Sequence, residues 1–139
     1  MRRSVVLLST LLMFFSFALV SQLHAADSLS VVNVTGKRVQ ISATMGIEQV
    51  RYFTLDAPKR LVVDLYGVRP GDHDAEIQLS DGFQALRIGP LENKTRFVFD
   101  VSGYLFPVYK VNTENDQVVV TWEPSNKAAE AAFAEPLTA

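Results

Sequence analysis

The sequence contains no cysteine, and this absence excludes several kinds of chemistry at once. Without thiols there are no disulfides, no Cys-ligated zinc, no iron–sulfur clusters and no thiol catalysis. Positive charge is also in short supply, because the 139 residues carry a net charge of −2. A nucleic-acid binder needs a Lys/Arg surplus, so that class is excluded too. The 48% hydrophobic and 20% charged content is that of an ordinary globular chain, long enough for one domain or for two very small ones.

Catalytic motifs are equally scarce. The sequence has no H-E-x-x-H, no P-loop, no Gly-rich dinucleotide motif and no G-x-S-x-G. Histidine occurs only at His24, near the N-terminus, and at His73, in a polar turn without a second cluster of metal ligands. We therefore predict that the protein is not an enzyme and that it binds neither a metal nor another cofactor.

The N-terminus has the pattern of a secretory signal peptide. Residues 1–3 are Met-Arg-Arg, residues 5–20 form an apolar stretch, and the polar segment that follows ends in Ala25 and Ala26. The apolar stretch is shorter than the ~20 residues that a membrane-spanning helix requires. We predict a signal peptide over 1–25, with cleavage after Ala25 or Ala26. A cysteine-free exported chain of this kind suits the periplasm, and removing two arginines leaves it with a net charge of −4.

The rest of the chain is predicted to be all-β. Short runs rich in Val, Ile, Phe, Tyr and Thr alternate with turn residues, which is typical of a β-sandwich or barrel. We expect one domain over 26–123 and a flexible tail over 124–139. The predicted strands are 28–35, 37–44, 48–55, 59–67, 75–79, 83–89, 95–101, 105–113 and 117–123.

An internal repeat organises these strands. Residues 49–68 and 85–104 align without gaps at an offset of 36, with six identities in twenty positions. We therefore expect a sandwich of two similar antiparallel sheets with internal pseudo-symmetry, each sheet carrying one copy. The flanking hairpins, 28–44 and 105–123, would complete the two sheets. The identities pair Arg51 with Arg87, Leu55 with Leu91, Arg60 with Arg96, Val62 with Val98, Asp64 with Asp100 and Gly67 with Gly103.

Side-chain alternation assigns the faces of the repeated strands. Leu61, Val63 and Leu65 of the first copy point to the core, as do Phe97, Phe99 and Val101 of the second. The aromatic residues, Trp122 included, are mostly expected in the core or over sheet edges. Some of them, however, could stack on sugar rings.

The charged residues of the repeat face away from that core. A turn centred on residues 57 and 58 sets Arg51 opposite Asp64, and the same register sets Arg87 opposite Asp100. We read these four residues as cross-strand ion pairs. A paired-carboxylate hydrolase is the other reading of the two aspartates, but the repeat assigns them to separate sheets.

Arg60 and Arg96 have no such partner in this register. They lie beside the turns and are therefore free to bind a ligand. Turn solvation and protection of the sheet edges are the simpler roles for these residues.

The repeated motif resembles the AMIN domain. The chain carries the family's R-h-V-h-D-L-x-G pattern, where h is apolar, at residues 60–67 and more loosely at 96–103. The resemblance covers residues 28–123. It implies a β-sandwich of two symmetric sheets, as found in periplasmic N-acetylmuramoyl-L-alanine amidases and type IV pilus secretins.

The resemblance also implies a function, namely binding peptidoglycan and helping to localise envelope machinery. No zinc amidase motif accompanies it here, so amidase activity is not carried over, and we expect a stand-alone module. The candidate peptidoglycan-binding residues are Arg60, Arg96, Lys59, Lys94 and Tyr66, because arginine suits the carboxylates of stem peptides. The alternative is a protein–protein adaptor that uses an exposed sheet edge to join an amidase, a pilus secretin, or a secretion or cell-division complex.

Overall fold

The computed structural model describes residues 28–125, which form two β-sheets of five strands each, packed face to face. The all-β sandwich is therefore confirmed, while the predicted signal peptide and most of the predicted tail lie outside the described residues. No helix in the described part of the chain is long and apolar enough to span a membrane. The strands are β1 (Ser28–Thr35), β2 (Arg38–Ala43), β3 (Gln49–Asp56), β4 (Lys59–Tyr66), β5 (Val68–Arg69), β6 (Glu76–Gln78), β7 (Phe83–Leu91), β8 (Lys94–Val101), β9 (Val108–Glu114) and β10 (Gln117–Glu123).

The assignment of the two repeat copies to different sheets was wrong. Both copies lie in one sheet, which we call the repeat sheet, with the strand order β3-β4-β8-β7-β6. The two flanking hairpins together form the other sheet, which we call the flanking sheet, with the order β5-β1-β2-β10-β9. The pseudo-symmetry therefore lies within the repeat sheet and does not relate one sheet to the other.

The cause is the direct antiparallel pairing of β4 with β8. In this register Arg60 lies opposite Asp100, Val62 opposite Val98 and Asp64 opposite Arg96. Each copy thus sets its arginine against the aspartate of the other copy, and such cross-strand charge pairs favour this register. A local pseudo-twofold axis passes between the two valines.

The core lies between the sheets, on the faces that alternation predicted. Leu61, Val63 and Leu65 of β4 are fully buried, as are Phe97 and Phe99 of β8. The flanking sheet packs Val39, Ile41, Val118, Val120 and Trp122 against them.

An aromatic cluster occupies one part of this core. Trp122 packs edge-on against Phe83, with ring centroids 5.3 Å apart, and at 6.5 Å against Phe99. Its Nε1–H donates to the carbonyl oxygen of Ser80 at 2.9 Å. The tryptophan is therefore a core residue with a satisfied polar end, as buried indoles usually are.

The chain leaves the repeat sheet at Gly67, the residue at which the predicted strand 59–67 ends. Gly67 has φ of 73°, in the left-handed region that glycine adopts without a steric penalty. The next two residues form β5, which pairs in parallel with the start of β1 in the flanking sheet. The other strand pairings among the described residues are antiparallel. The polar turn that follows is held by Ser30, whose hydroxyl contacts His73 Nε2 at 2.9 Å and accepts the N–H of Gly71 at 3.1 Å.

Candidate functional site

The outward face of the repeat sheet concentrates cationic side chains, and we call it the basic face. Its strands place five cations and three carboxylates there, which gives a positive surplus of two on a chain of negative net charge. Its charged residues are Arg51, Arg60, Arg87, Lys94, Arg96, Asp64, Asp100 and Glu76, and its apolar residues include Phe53, Leu55, Val62, Val98 and Leu91.

Asp64 is the most buried charge on this face, with only 2% of its surface exposed. Arg96 holds it with two hydrogen bonds, Nε to Oδ1 and Nη2 to Oδ2, both 2.8 Å, and Lys94 Nζ donates to Oδ2 at 2.8 Å. Burial raises the pKa of Asp64, but the hydrogen bonds and charges of the two cations outweigh it and hold the pKa below the ordinary value of 3.8. The carboxylate is therefore ionised and fully satisfied.

Asp100 has a similar arrangement on the other side of the pseudo-twofold axis. Arg60 Nε donates to Oδ1 at 2.9 Å, while Arg87 donates through Nε at 2.6 Å and Nη2 at 2.8 Å. The bonds to Asp100 also raise the pKa of Arg87 above its ordinary value.

These contacts correct the ion-pair scheme drawn from the repeat. Arg60 and Arg96 do have carboxylate partners, each on the strand of the other copy, because β4 and β8 are neighbours. Arg51 does lie opposite Asp64, but no ion pair joins them among residues 28–125, since Arg96 and Lys94 occupy that carboxylate.

The second hairpin has a different register from the one predicted. Arg87 lies opposite Val98, and Ala85 lies opposite Asp100, so Arg87 reaches its aspartate diagonally. The turn centres on Glu92 and the residue after it, with Glu92 at a left-handed φ of 50°. The first copy carries proline in its turn and the second does not, which permits this different turn. A shift of two residues keeps every side chain on its face, so the ion pair survives.

Tyr66 and Lys94 form one end of the basic face. Lys94 Nζ lies 3.2 Å from the Tyr66 hydroxyl and 4.8 Å from its ring centroid. The hydrogen bond from Lys94 lowers the pKa of Tyr66, with a further contribution from Arg51, while Asp64 raises the pKa of Lys94. Six residues along β4 separate Tyr66 from Arg60, about 20 Å at ~3.3 Å per residue.

Lys59 points away from this surface, although it lines a cavity of about 450 Å³ at the end of the sheet together with Arg60, Arg87 and Asp100. Its odd position in β4 directs it to the opposite side of the sheet from Arg60, over the ring of Phe106 at 5.2 Å and 3.5 Å from Asp56. Of the five candidate binding residues, the structure therefore brings Arg60, Arg96, Lys94 and Tyr66 onto one face, and Lys59 is not among them.

A shallow groove of about 440 Å³ runs over the centre of the basic face. Val62 and Val98 line its floor beside Gly89, whose missing side chain leaves the surface open. Leu55 and Leu91, 42% and 39% exposed, are apolar lining residues. The guanidinium-bearing residues that line it are Arg60, Arg87 and Arg96.

The ion pairs orient these guanidinium groups and leave donors unused. Arginine has five N–H donors. Arg60 uses only Nε, and its two Nη groups make no hydrogen bond within the described residues. Arg87 and Arg96 each keep Nη1 unengaged in the same part of the chain. The groove thus combines oriented cationic donors with an apolar floor.

Reasoning from the sequence did not place Arg87, Leu55 or Leu91 in a site. In the repeat, Arg87 matches Arg51, and Leu55 matches Leu91. These identities were the signal in the sequence that could have marked the three residues. Their convergence on one groove depends on β4 pairing with β8, which no local pattern indicates.

Comparison with known families gives one result for this fold. The model of the AMIN domain matches residues 30–122, well over half of the chain and nearly all of its described part. No curated protein matches the chain.

Proposed function

Because the chain belongs to the AMIN domain family, we propose that it is a periplasmic, non-catalytic module that binds peptidoglycan through its basic face and helps to localise envelope machinery. AMIN domains are peptidoglycan-associated targeting modules of periplasmic proteins. The observation that carries the proposal is the groove, where unengaged arginine donors lie beside exposed apolar side chains.

Peptidoglycan offers matching chemistry. Its stem peptides carry carboxylates, and its sugar rings have apolar faces. Guanidinium groups bind carboxylates through paired, charge-assisted hydrogen bonds. Leu55 and Leu91 supply apolar area for a sugar face. Because the arginines are already oriented by Asp64 and Asp100, binding a carboxylate costs less side-chain entropy.

Arg60 is the residue on which to test this proposal. Its replacement in Arg60→Gln leaves Asp100 with both hydrogen bonds from Arg87, so the fold should persist. We expect the variant to bind purified sacculi about tenfold more weakly in a co-sedimentation assay, since a charge-assisted hydrogen bond is lost. Wild-type binding should also weaken with added salt, because partly exposed charges are screened.

Arg38→Gln is the matched control. Arg38 is an exposed arginine whose cross-strand partners, Thr35 and Thr121, belong to the flanking sheet, on the other side of the molecule. This variant changes the net charge by the same amount and should bind as the wild type does. Equal losses in both variants, or full binding by Arg60→Gln, would remove the groove from the proposal. A wild type that fails to pellet at low salt would overturn peptidoglycan binding itself.

The adaptor function remains a second candidate because one observation favours it. Strand β3 lies at the edge of the repeat sheet, and seven of its eight residues are exposed.

A further inference from the structure

The outer edges of β3 and β7 differ in whether another strand covers them, although the pseudo-twofold axis relates these two strands. This axis relates β4 to β8 and β3 to β7. Strand β6 covers the outer edge of β7, whereas no strand in the described part of the chain covers the outer edge of β3. Tyr52, Phe53 and Leu55 on β3 are 52%, 41% and 42% exposed.

Strand β6 shows how such an edge is covered. It runs antiparallel to β7, with Glu76 opposite Arg87, Ile77 opposite Leu86, and Gln78 opposite Ala85. The Ile88 N–H donates to the carbonyl oxygen of Ala75 at 2.8 Å, so this ladder extends beyond the paired residues. The pairing of β6 with β7 therefore shows how a short extended segment binds to this type of edge.

We propose that the free edge of β3 binds an extended segment of another protein in the way β6 covers β7. Aligned by sequence at the repeat offset of 36, the partners of β6 correspond to Arg51, Val50 and Gln49. The two-residue difference between the turns moves the spatial equivalents to Phe53, Tyr52 and Arg51, on the same faces of the sheet. We choose the first register because it sets the carboxylate of the segment opposite an arginine, as Glu76 is set opposite Arg87. The segment therefore runs antiparallel to β3, with a carboxylate residue opposite Arg51, then an apolar residue opposite Val50, then a polar residue opposite Gln49. The Tyr52 N–H takes the place of the Ile88 N–H as a donor.

Charge complementarity favours an acidic segment. Arg51 is exposed and has no ion pair among residues 28–125, whereas Arg87, its counterpart in the sequence repeat, lies opposite Glu76, whose charge adds to that of Asp100 in raising the pKa of Arg87. The next position needs an apolar side chain because it faces the core side of the sheet, as Ile77 does opposite Leu86. On β3 the residue opposite this position is the partly buried Val50. Main-chain hydrogen bonds supply affinity and the alternate side chains supply selectivity in this mode of binding.

A second copy of β3 is a poorer occupant. Antiparallel pairing of two β3 strands with their faces aligned sets Arg51 opposite another odd-numbered residue, such as Phe53 or Leu55. Asp56, the carboxylate residue of β3, lies on the other face from Arg51. Self-pairing therefore leaves Arg51 without a carboxylate opposite it.

The test uses a synthetic peptide with the sequence of residues 74–80, DAEIQLS, which contains β6. The protein is expressed from the full chain with ¹⁵N labelling, purified, and titrated with the peptide while amide NMR shifts are followed. We expect shifts centred on residues 50–54. A peptide with lysine in place of the glutamate should bind about fivefold more weakly, and the Arg51→Glu variant should reverse that preference.

A backbone control separates strand pairing from charge attraction. In β6 the N–H of Leu79 donates to Gln84 and the carbonyl of Ala75 accepts from Ile88, so by alternation the N–H of Ile77 also points to the covered strand. A peptide N-methylated at the isoleucine should therefore lose binding although its charge is unchanged.

Three outcomes would overturn the inference. These are the absence of shifts in β3, a peptide preference that Arg51→Glu leaves unchanged, and β3 shifts that follow protein concentration in place of peptide, which would identify a second copy as the occupant. None of these results depends on sacculus binding by the basic face, so this inference and the peptidoglycan proposal can fail separately.

Discussion

The Trp122→Ala variant is expected to lower the free energy of unfolding by about 4 kcal/mol, the range found when a buried large aromatic is truncated. The side chain is 2% exposed and packs against Phe83 and Phe99 in the core between the two sheets. Removing it opens a cavity between rigid sheets and leaves the Ser80 carbonyl without its donor. Trp122 is the only tryptophan of the sequence, so the variant has no tryptophan fluorescence with which to follow unfolding. Urea denaturation followed by far-UV circular dichroism therefore measures the loss of stability.

Tyr104→Ala is the matched control, because Tyr104 is an aromatic residue that is 93% exposed. Its removal should change the free energy of unfolding by less than ~0.5 kcal/mol, as for most surface substitutions. Comparable losses in the two variants would contradict the central role of the aromatic cluster. Trp122→Phe should recover most of the stability, because a phenyl ring refills much of the cavity.

The Asp64→Asn variant is expected to lose about 2–3 kcal/mol of stability at neutral pH. Breaking a buried ion pair typically costs ~3–5 kcal/mol, and the loss is smaller here because Arg96, with a side chain 35% exposed, can regain water. The amide keeps the shape of the side chain but leaves Arg96 and Lys94 as neighbouring cations without their carboxylate. Urea denaturation of both proteins at pH 7 gives the difference.

The loss should depend on pH in a defined direction. The pKa of Asp64 in the folded state lies below the ordinary value of 3.8. Its ionised form therefore stabilises the fold above about pH 4, and this contribution is lost as the pH falls through the lowered pKa. The difference between the wild type and Asp64→Asn should accordingly narrow as the pH is lowered below 3.8.

Asp72→Asn provides the comparison for this experiment. Asp72 is an exposed carboxylate in the turn that follows β5, and no ion pair holds it within the described residues. Its replacement should leave the stability at pH 7 within ~0.5 kcal/mol of the wild type, as for most surface substitutions. A gap between the wild type and Asp64→Asn that stays constant down to pH 2 would show that Asp64 does not titrate as its two cations imply.

We expect different arginines of the basic face to serve fold stability and ligand binding. Arg96 is committed to the buried Asp64, so its replacement disturbs the fold as well as any ligand. Arg60 shares Asp100, whose side chain is 22% exposed, with Arg87 and keeps more donors unengaged. Arg60 is for this reason the residue whose loss reports on binding alone.

The sequence by itself determined where most of the strands lie and which way their side chains face. The predicted runs agree with nine of the ten strands to within about three residues at each end, because apolar alternation is a local property of each strand. The alternation in β4 and β8 identified the core residues Leu61, Val63, Phe97 and Phe99. The repeated motif also identified the family, which the match over residues 30–122 confirms.

The alternation of apolar residues does not predict which strands pair with each other. A strand of this repeat presents the same two faces whether it pairs with its own hairpin, with the other copy, or with a flanking strand. The choice of β4 beside β8 depends on hydrogen bonds between residues 28 to 40 positions apart, which leave no periodic trace in the chain.

The short strand β5 was missed for a related reason. Its two residues carry too little alternation to signal a strand, and it forms only because β1 lies beside it.

The candidate site, like the strand partners, could not be derived from the sequence. The repeat marked Arg60, Arg96, Asp64 and Asp100 as important, but their partners were assigned within each hairpin because the neighbouring strand was unknown. Tertiary structure alone decided that each arginine meets the aspartate of the other copy, and that β3 is an edge strand among residues 28–125. The direction of Lys59, by contrast, follows from alternation along β4. The physical reason is that side-chain direction is set by the local backbone, whereas partners, grooves and edges exist only after distant strands have paired.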